Sequence, residues 1–241
     1  MRYALAYVKR DLMRWGRAPL NVASSLALPA AWLLFMGLVM PINRPGYMDF
    51  ILPGILVMTM LGTGLSGGSS MMFDKSLGYL GKFLAAPSPR ESILVGKIIF
   101  ITVRGLAQST VILMLGLLAG ATLQSLTTYL AYYAILALFG VALATFGTTV
   151  ALHMEIYDNY AAFQAFVTMP LYLASTALVR YDDMPTALYY IAKVNPVSYA
   201  IDACRDVSVG VFPAASILVL LALIAVLMPI CVRRFRKITV S

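Results

Sequence analysis

Residues 50–73 read FILPGILVMTMLGTGLSGGSSMMF, an apolar run without a single charged side chain. About 20 such residues cross the hydrocarbon of a bilayer as a helix. A chain can cross there only with its backbone groups satisfied internally, in a helix or a closed barrel. Comparable runs recur at 21–40, 93–121, 127–152, 161–179 and 215–232. The expectation is an all-α integral membrane protein with six transmembrane helices in one transmembrane domain over residues 1–241. Only 12% of the residues are charged, against about 25% in soluble domains, so a water-facing shell is excluded. Within 50–73, the four-residue spacing of Gly64 and Gly68 predicts a face on which helices approach closely.

The formal net charge is +8, which in a soluble chain would suggest nucleic acid. In a membrane protein, basic residues gather at cytoplasmic ends instead. In the six-span arrangement, the cytoplasmic parts hold thirteen of the 18 Lys and Arg, the external parts hold four, and Arg104 lies within a span. Both termini are therefore expected in the cytoplasm, with no nucleic-acid partner. Cys204 and Cys231 fall on opposite sides and imply no disulfide. Arg104 lies seven residues beyond Lys97, about 10 Å deeper along a helix. It is expected to snorkel or to pair inside the bundle, with a role in a substrate path as the other reading.

Residues 1–18 are too short to span. Leu5, Val8, Leu12 and Trp15 recur at helical spacing on one face, with Lys9, Arg10, Arg14 and Arg17 on the other. This is the pattern of an interfacial helix lying on the cytoplasmic surface among membrane lipids. A cleaved secretory signal is the competing reading, and the length of the basic region argues against it.

Two further stretches carry information. Residues 73–92 form a cytoplasmic loop in which Gly78, Leu80, Phe83 and Leu84 precede Ala85-Ala86-Pro87 and Arg90-Glu91, and Gly96-Lys97 follow just beyond it. The order predicts a short helix stopped by proline and a second helix starting near residue 88. A short helix there is a part that another protein can grip. Residues 180–212 have apolar runs too short to span, cut by Pro185, Asn195-Pro196 and Pro213. The plain reading is an external loop. The sharper one is a pair of short re-entrant helices whose backbone groups are satisfied within the protein, with Asp202, Arg205 and Asp206 close enough to pair.

These residues also resemble a family, the permease subunits of type-2 ABC exporters. Gly78-x-Leu80, Leu84-x-x-Pro87 and Gly96-Lys97 match its cytoplasmic pattern. Asn195-Pro196, Tyr199, Asp202 and Arg205 are similar to its pattern before the last span. Their order, with the basic entry helix (Lys9, Arg10, Arg14, Trp15) and six spans, carries the match over nearly the whole chain. The resemblance implies a transport subunit of a prokaryotic inner membrane that is not itself an enzyme. It would assemble as two copies with two ABC ATPase subunits, which would hold ATP and magnesium, so that this chain has no cofactor of its own. It implies that 78–97 couples to the ATPase and that the cargo is a hydrophobic or amphiphilic drug, lipid or lipid-linked glycan moved outward.

A phosphate-binding loop needs G-x-x-x-x-G-K-[ST]. Gly81-Lys82 is followed by Phe83, and Gly96-Lys97 by Ile98. Two other classes are weighed against export. An intramembrane serine protease would use Gly64-Leu65-Ser66-Gly67 with His153, the one histidine. A proton-coupled carrier would show ionisable groups in mid-span or internal repeats, and Arg104 alone qualifies.

Overall fold

The structure, a computed structural model, describes residues 2–39, 46–84 and 89–237. In chain order the helices are α1 (Arg2–Gly16), α2 (Pro19–Val39), α3 (Tyr47–Ser76), α4 (Tyr79–Leu84), α5 (Arg90–Leu118), α6 (Leu126–Ala151), α7 (Tyr157–Leu173), α8 (Thr186–Val194), α9 (Pro196–Ser208) and α10 (Ala214–Arg236). No strand occurs among the described residues.

α3 is the axis of the bundle. It is buried along most of its length and packs against α2, α5, α6, α7 and α9. The small residues allow this. A Cβ on Gly64 would sit 2.6 Å from Leu143 Cβ of α6, and one on Gly68 would sit 2.5 Å from the Gly147 carbonyl and collide with the Tyr160 hydroxyl. The close-packing face expected at Gly64 and Gly68 is therefore present. α2 and α10 lie at the periphery and expose much of their apolar surface, as suits helices that face lipid.

The ends of the bundle differ. At one end, Val8 of α1, Met71 of α3, Leu80 of α4, Leu94 of α5, Tyr160 of α7 and Phe235 of α10 share a core cluster. The basic residues of α1 and of the last turn of α10 gather here, and Arg236 meets Glu91 at 2.7 Å. At the opposite end α8 and α9 close the bundle, with Val197, Ala200 and Ile201 in a second cluster around α3.

Five helices, α2, α3, α5, α6 and α10, are long and apolar enough to cross a membrane. The expected span at 161–179 is different. α7 begins at Tyr157, ends at Leu173 and gives way to irregular backbone, so at 17 residues it reaches about 25 Å. The reason lies further along the chain: the carbonyls left open where α7 ends find donors on α9 or just before it. Asn195 Nδ2 donates to the Leu171 carbonyl at 2.6 Å and to the Ala174 carbonyl at 3.1 Å.

Candidate functional site

At the basic end, α1 lies across α5 where Gly96 leaves room. A Cβ on Gly96 would meet the Ala4 carbonyl and Tyr7 Cβ, each at 3.0 Å. The next residue, Lys97, points inward and is 3% exposed. Its ammonium has three partners: Asp74 Oδ2 of α3 at 2.6 Å, Asp11 Oδ2 of α1 at 3.0 Å, and the Ser70 hydroxyl at 2.8 Å. The Ser70 contact is a hydrogen bond, and the two carboxylate contacts are ion pairs. Arg10 completes the set, with Nη2 2.6 Å from Asp11 and 3.7 Å from Asp74. Two cations and two carboxylates thus balance and join α1, α3 and α5, with Lys97, Asp11 and Asp74 buried and Arg10 reaching the surface.

Sequence reasoning placed Lys97 in the coupling region but missed its partners. Asp11 and Asp74 look like solvated acids among basic residues, and only the fold brings them together. The inner face of α1 accordingly consists of Ala4, Val8 and Asp11, with Leu12 and Trp15 partly covered, while Leu5 is exposed. Lys9 and Arg14 are exposed and Arg10 is half-buried. Leu5 was expected on the apolar face, but the turn that brings Asp11 to Lys97 rotates it outward.

α4 follows α3 through a two-residue turn in which Gly78 adopts φ +69°, a conformation that favours glycine. Leu80 is buried in the basic-end cluster, and α4 packs against α3. Phe83 and Leu84 close α4. Ala85, Ala86 and Pro87 lie outside the described residues. Arg90 is exposed at the start of α5, beside the Glu91 pair with Arg236.

Between α1, α2, α3, α5 and α7 lies a cleft of about 450 Å³. Serines of α2 and α3 line it, with Gln164 of α7 and Arg104 and Lys97 of α5. Deeper in the bundle, Gln108 of α5 meets Thr63 of α3 and donates to Ser25 of α2, and Ser69 donates to Gln164 at 3.1 Å. These contacts satisfy polar groups that would be costly in hydrocarbon.

At the opposite end, α8 and α9 are short helices turned back over the break in α7. Asn195 accepts from Val197 N–H at 3.0 Å, capping α9, while its amide caps α7. Pro196 takes the first position of α9, where its missing N–H costs nothing. Tyr199 donates to the Lys193 carbonyl. Arg205 donates to the carbonyls of Thr176 at 2.8 Å, Phe50 at 3.1 Å and Ala177 at 3.3 Å, with its guanidinium over the Phe50 ring. Asp202 accepts from Thr176 and Tyr181 at 2.8 and 3.0 Å and lies 3.9 Å from Arg205. Burial pushes the Asp202 carboxyl above its usual range, and the Thr176 and Tyr181 hydrogen bonds pull it back. Asn195 and Arg205 thus supply donors to carbonyls at the end of α7, in the irregular backbone after it and in the first turn of α3.

The protease reading loses its geometry. His153 is exposed at the basic end and its Nδ1 lies 2.8 Å from the Thr149 carbonyl, whereas Ser66 donates to the Thr63 carbonyl in its own helix.

The sequence profile of the ABC-2 type transporter family matches residues 3–209. Transport permease ycf38 of Cyanophora paradoxa is 30% identical over 82% of this chain and 71% of its own length. Nodulation protein J of Rhizobium leguminosarum bv. viciae is 24% identical over 86% of this chain and 82% of its own. Daunorubicin resistance ABC transporter permease protein DrrB1 of Streptomyces coeruleorubidus is 22% identical over 97% and 86%. The match runs from α1 through α9, and the chain belongs to the ABC-2 type transporter family of membrane permeases.

Proposed function

We propose that this chain is the membrane-spanning half of an ATP-driven exporter. Two copies assemble with two ABC ATPase subunits in the cytoplasmic membrane of a prokaryote and move a hydrophobic or amphiphilic cargo outward. The observation that carries this reading is the placement of α4. It is joined by a tight turn to the end of α3 that carries Asp74, which is paired with Lys97 in a buried network with Asp11, and it is anchored by Leu80. A push on α4 from the cytoplasm reaches α1, α3 and α5 together, because interiors packed to this density transmit displacement.

The same arrangement supports six crossings: α1 and the end of α10 lie at one end of the bundle, as an even number of passages would leave them, with α7 as the sixth beside the five long helices. The basic end then faces the cytoplasm. The cargo path runs along α2, α3 and α7 where two copies meet. A relative named for daunorubicin resistance supports a drug-like amphiphile within a cargo class that also includes lipids and lipid-linked glycans.

The test is co-purification. Affinity-tagged permease, co-expressed with an ABC ATPase from the same genome and extracted in mild detergent, retains the ATPase in near-equal amount. Absence of every ABC ATPase from the purified complex would contradict the reading.

A further inference from the structure

The cleft at the basic end holds two buried hydrogen-bond donors without an acceptor among the described residues: Trp15 Nε1 and Arg104 Nε. They are neighbours, with the Arg104 guanidinium carbon 5.9 Å from the Trp15 ring. Native proteins rarely leave such groups unmatched, and an unpaired charge at this depth is costlier still. Arg104 has no ion pair among the described residues. Behind it, Arg10 and Lys97 are balanced by Asp11 and Asp74, so Arg104 and Arg14 give the cleft its excess positive charge. The Ser70 hydroxyl already accepts from Lys97 and so has its own proton to donate. The cleft thus presents donors and positive charge, and its acidic lining residue, Asp11, is already paired.

We propose that this cleft binds a phosphate-type anion, with Arg104 and Trp15 Nε1–H as its principal donors and Arg14 as an outer charge. An arginine fork with an adjacent N–H matches phosphate oxygens, and charge-assisted hydrogen bonds of this kind are the strong ones. A volume of about 450 Å³ admits a headgroup together with the first part of an acyl or prenyl chain. This deepens the exporter reading and rests on it for the site's purpose: the cleft would receive the anionic head of a cargo amphiphile before outward movement. Binding itself is independent of any ATPase.

Trp15 provides the readout. The chain has two tryptophans, so Trp32→Phe leaves Trp15 as the sole indole emitter. Purified protein in a neutral detergent is titrated with dodecyl phosphate, dodecyltrimethylammonium and inorganic phosphate while Trp15 emission is followed. The expected result is a saturable change with dodecyl phosphate, none with the cation, and at least about a tenfold weaker response in Arg104→Gln, as loss of a charged hydrogen bond implies. Arg104→Lys recovers part of it. If inorganic phosphate competes at equal concentration, the site is one for a soluble anion; if it does not, the site is one for an anionic headgroup. Both results uphold an anion site. An unchanged response in a monodisperse Arg104→Gln protein, an equal response to the cation, or no saturable response to either phosphate overturns it. ATPase co-purification measured on the same variant keeps the two readings apart, since it is expected to persist whichever way the titration falls.

Discussion

Lys97 Nζ lies 2.6 Å from Asp74 Oδ2, with both side chains 3% exposed. The pair links the first turns of α5 to the last turns of α3, and Asp11 ties α1 to the same point at 3.0 Å. A buried ion pair adds little net stability over an apolar replacement, but removal of one partner leaves a buried charge at a cost of about 3–5 kcal/mol.

Lys97→Met should therefore destabilise the protein by roughly that amount. Asp74→Asn/Lys97→Met should recover part of the loss, because one of the two stranded carboxylates is gone. Unfolding in mild detergent followed by helical circular dichroism checks this; equal stability of Lys97→Met and the parent would show that the network is not needed.

Gly68 and Gly62 form a contrast on one helix. A methyl at Gly68 would collide with Tyr160 and the backbone of Gly147, whereas nothing lies within 4 Å of the position at Gly62. Gly68→Ala should cost about 1–3 kcal/mol, and Gly62→Ala should be neutral. Thermal aggregation of the two variants measured side by side tests the close packing of α3 with α6 and α7.

Arg205 should matter more than Asp202. It donates to two carbonyls in the backbone after α7 and to the Phe50 carbonyl of α3, and each buried group left unpaired costs about 1–3 kcal/mol. Arg205→Ala should fold in markedly lower yield than Asp202→Ala. The separation of 3.9 Å between the two side chains means that the double variant should be no better than Arg205→Ala alone. Fluorescence-detected gel filtration of the three variants decides it; recovery in the double variant would show that the pair matters more than the carbonyls.

The crossing by α7 is tested by cysteine labelling. Both native thiols are buried, so exposed positions serve instead. In right-side-out vesicles an impermeant maleimide should reach Thr186→Cys and not Glu155→Cys. Labelling of both from outside would remove α7 as a span.

The long spans were legible because about 20 apolar residues have few other uses. The end of α7 was not, since the apolar run continues to Val179 and the helix stops because Asn195 and Arg205 stabilise a broken backbone from further along the chain. Asp11 was hidden for a similar reason. On a basic amphipathic helix an acid reads as solvated, and its partner Lys97 lies in a different helix. Gly96 showed in the sequence as half of a motif, but its physical reason, the crossing of α1 over α5, is tertiary. The cation of Arg104 was visible, whereas the orphaned donor of Trp15 beside it needed the fold.

The central claim is that a separate ATPase drives transport through this permease. The most direct measurement is accumulation of a panel of fluorescent amphiphiles, anionic, neutral and cationic, in everted membrane vesicles containing the permease, the ATPase or both. The account predicts accumulation of at least one probe only with both proteins and ATP, and its loss in Phe83→Asp on α4. Accumulation by the permease alone under a proton gradient would contradict it and identify a secondary carrier.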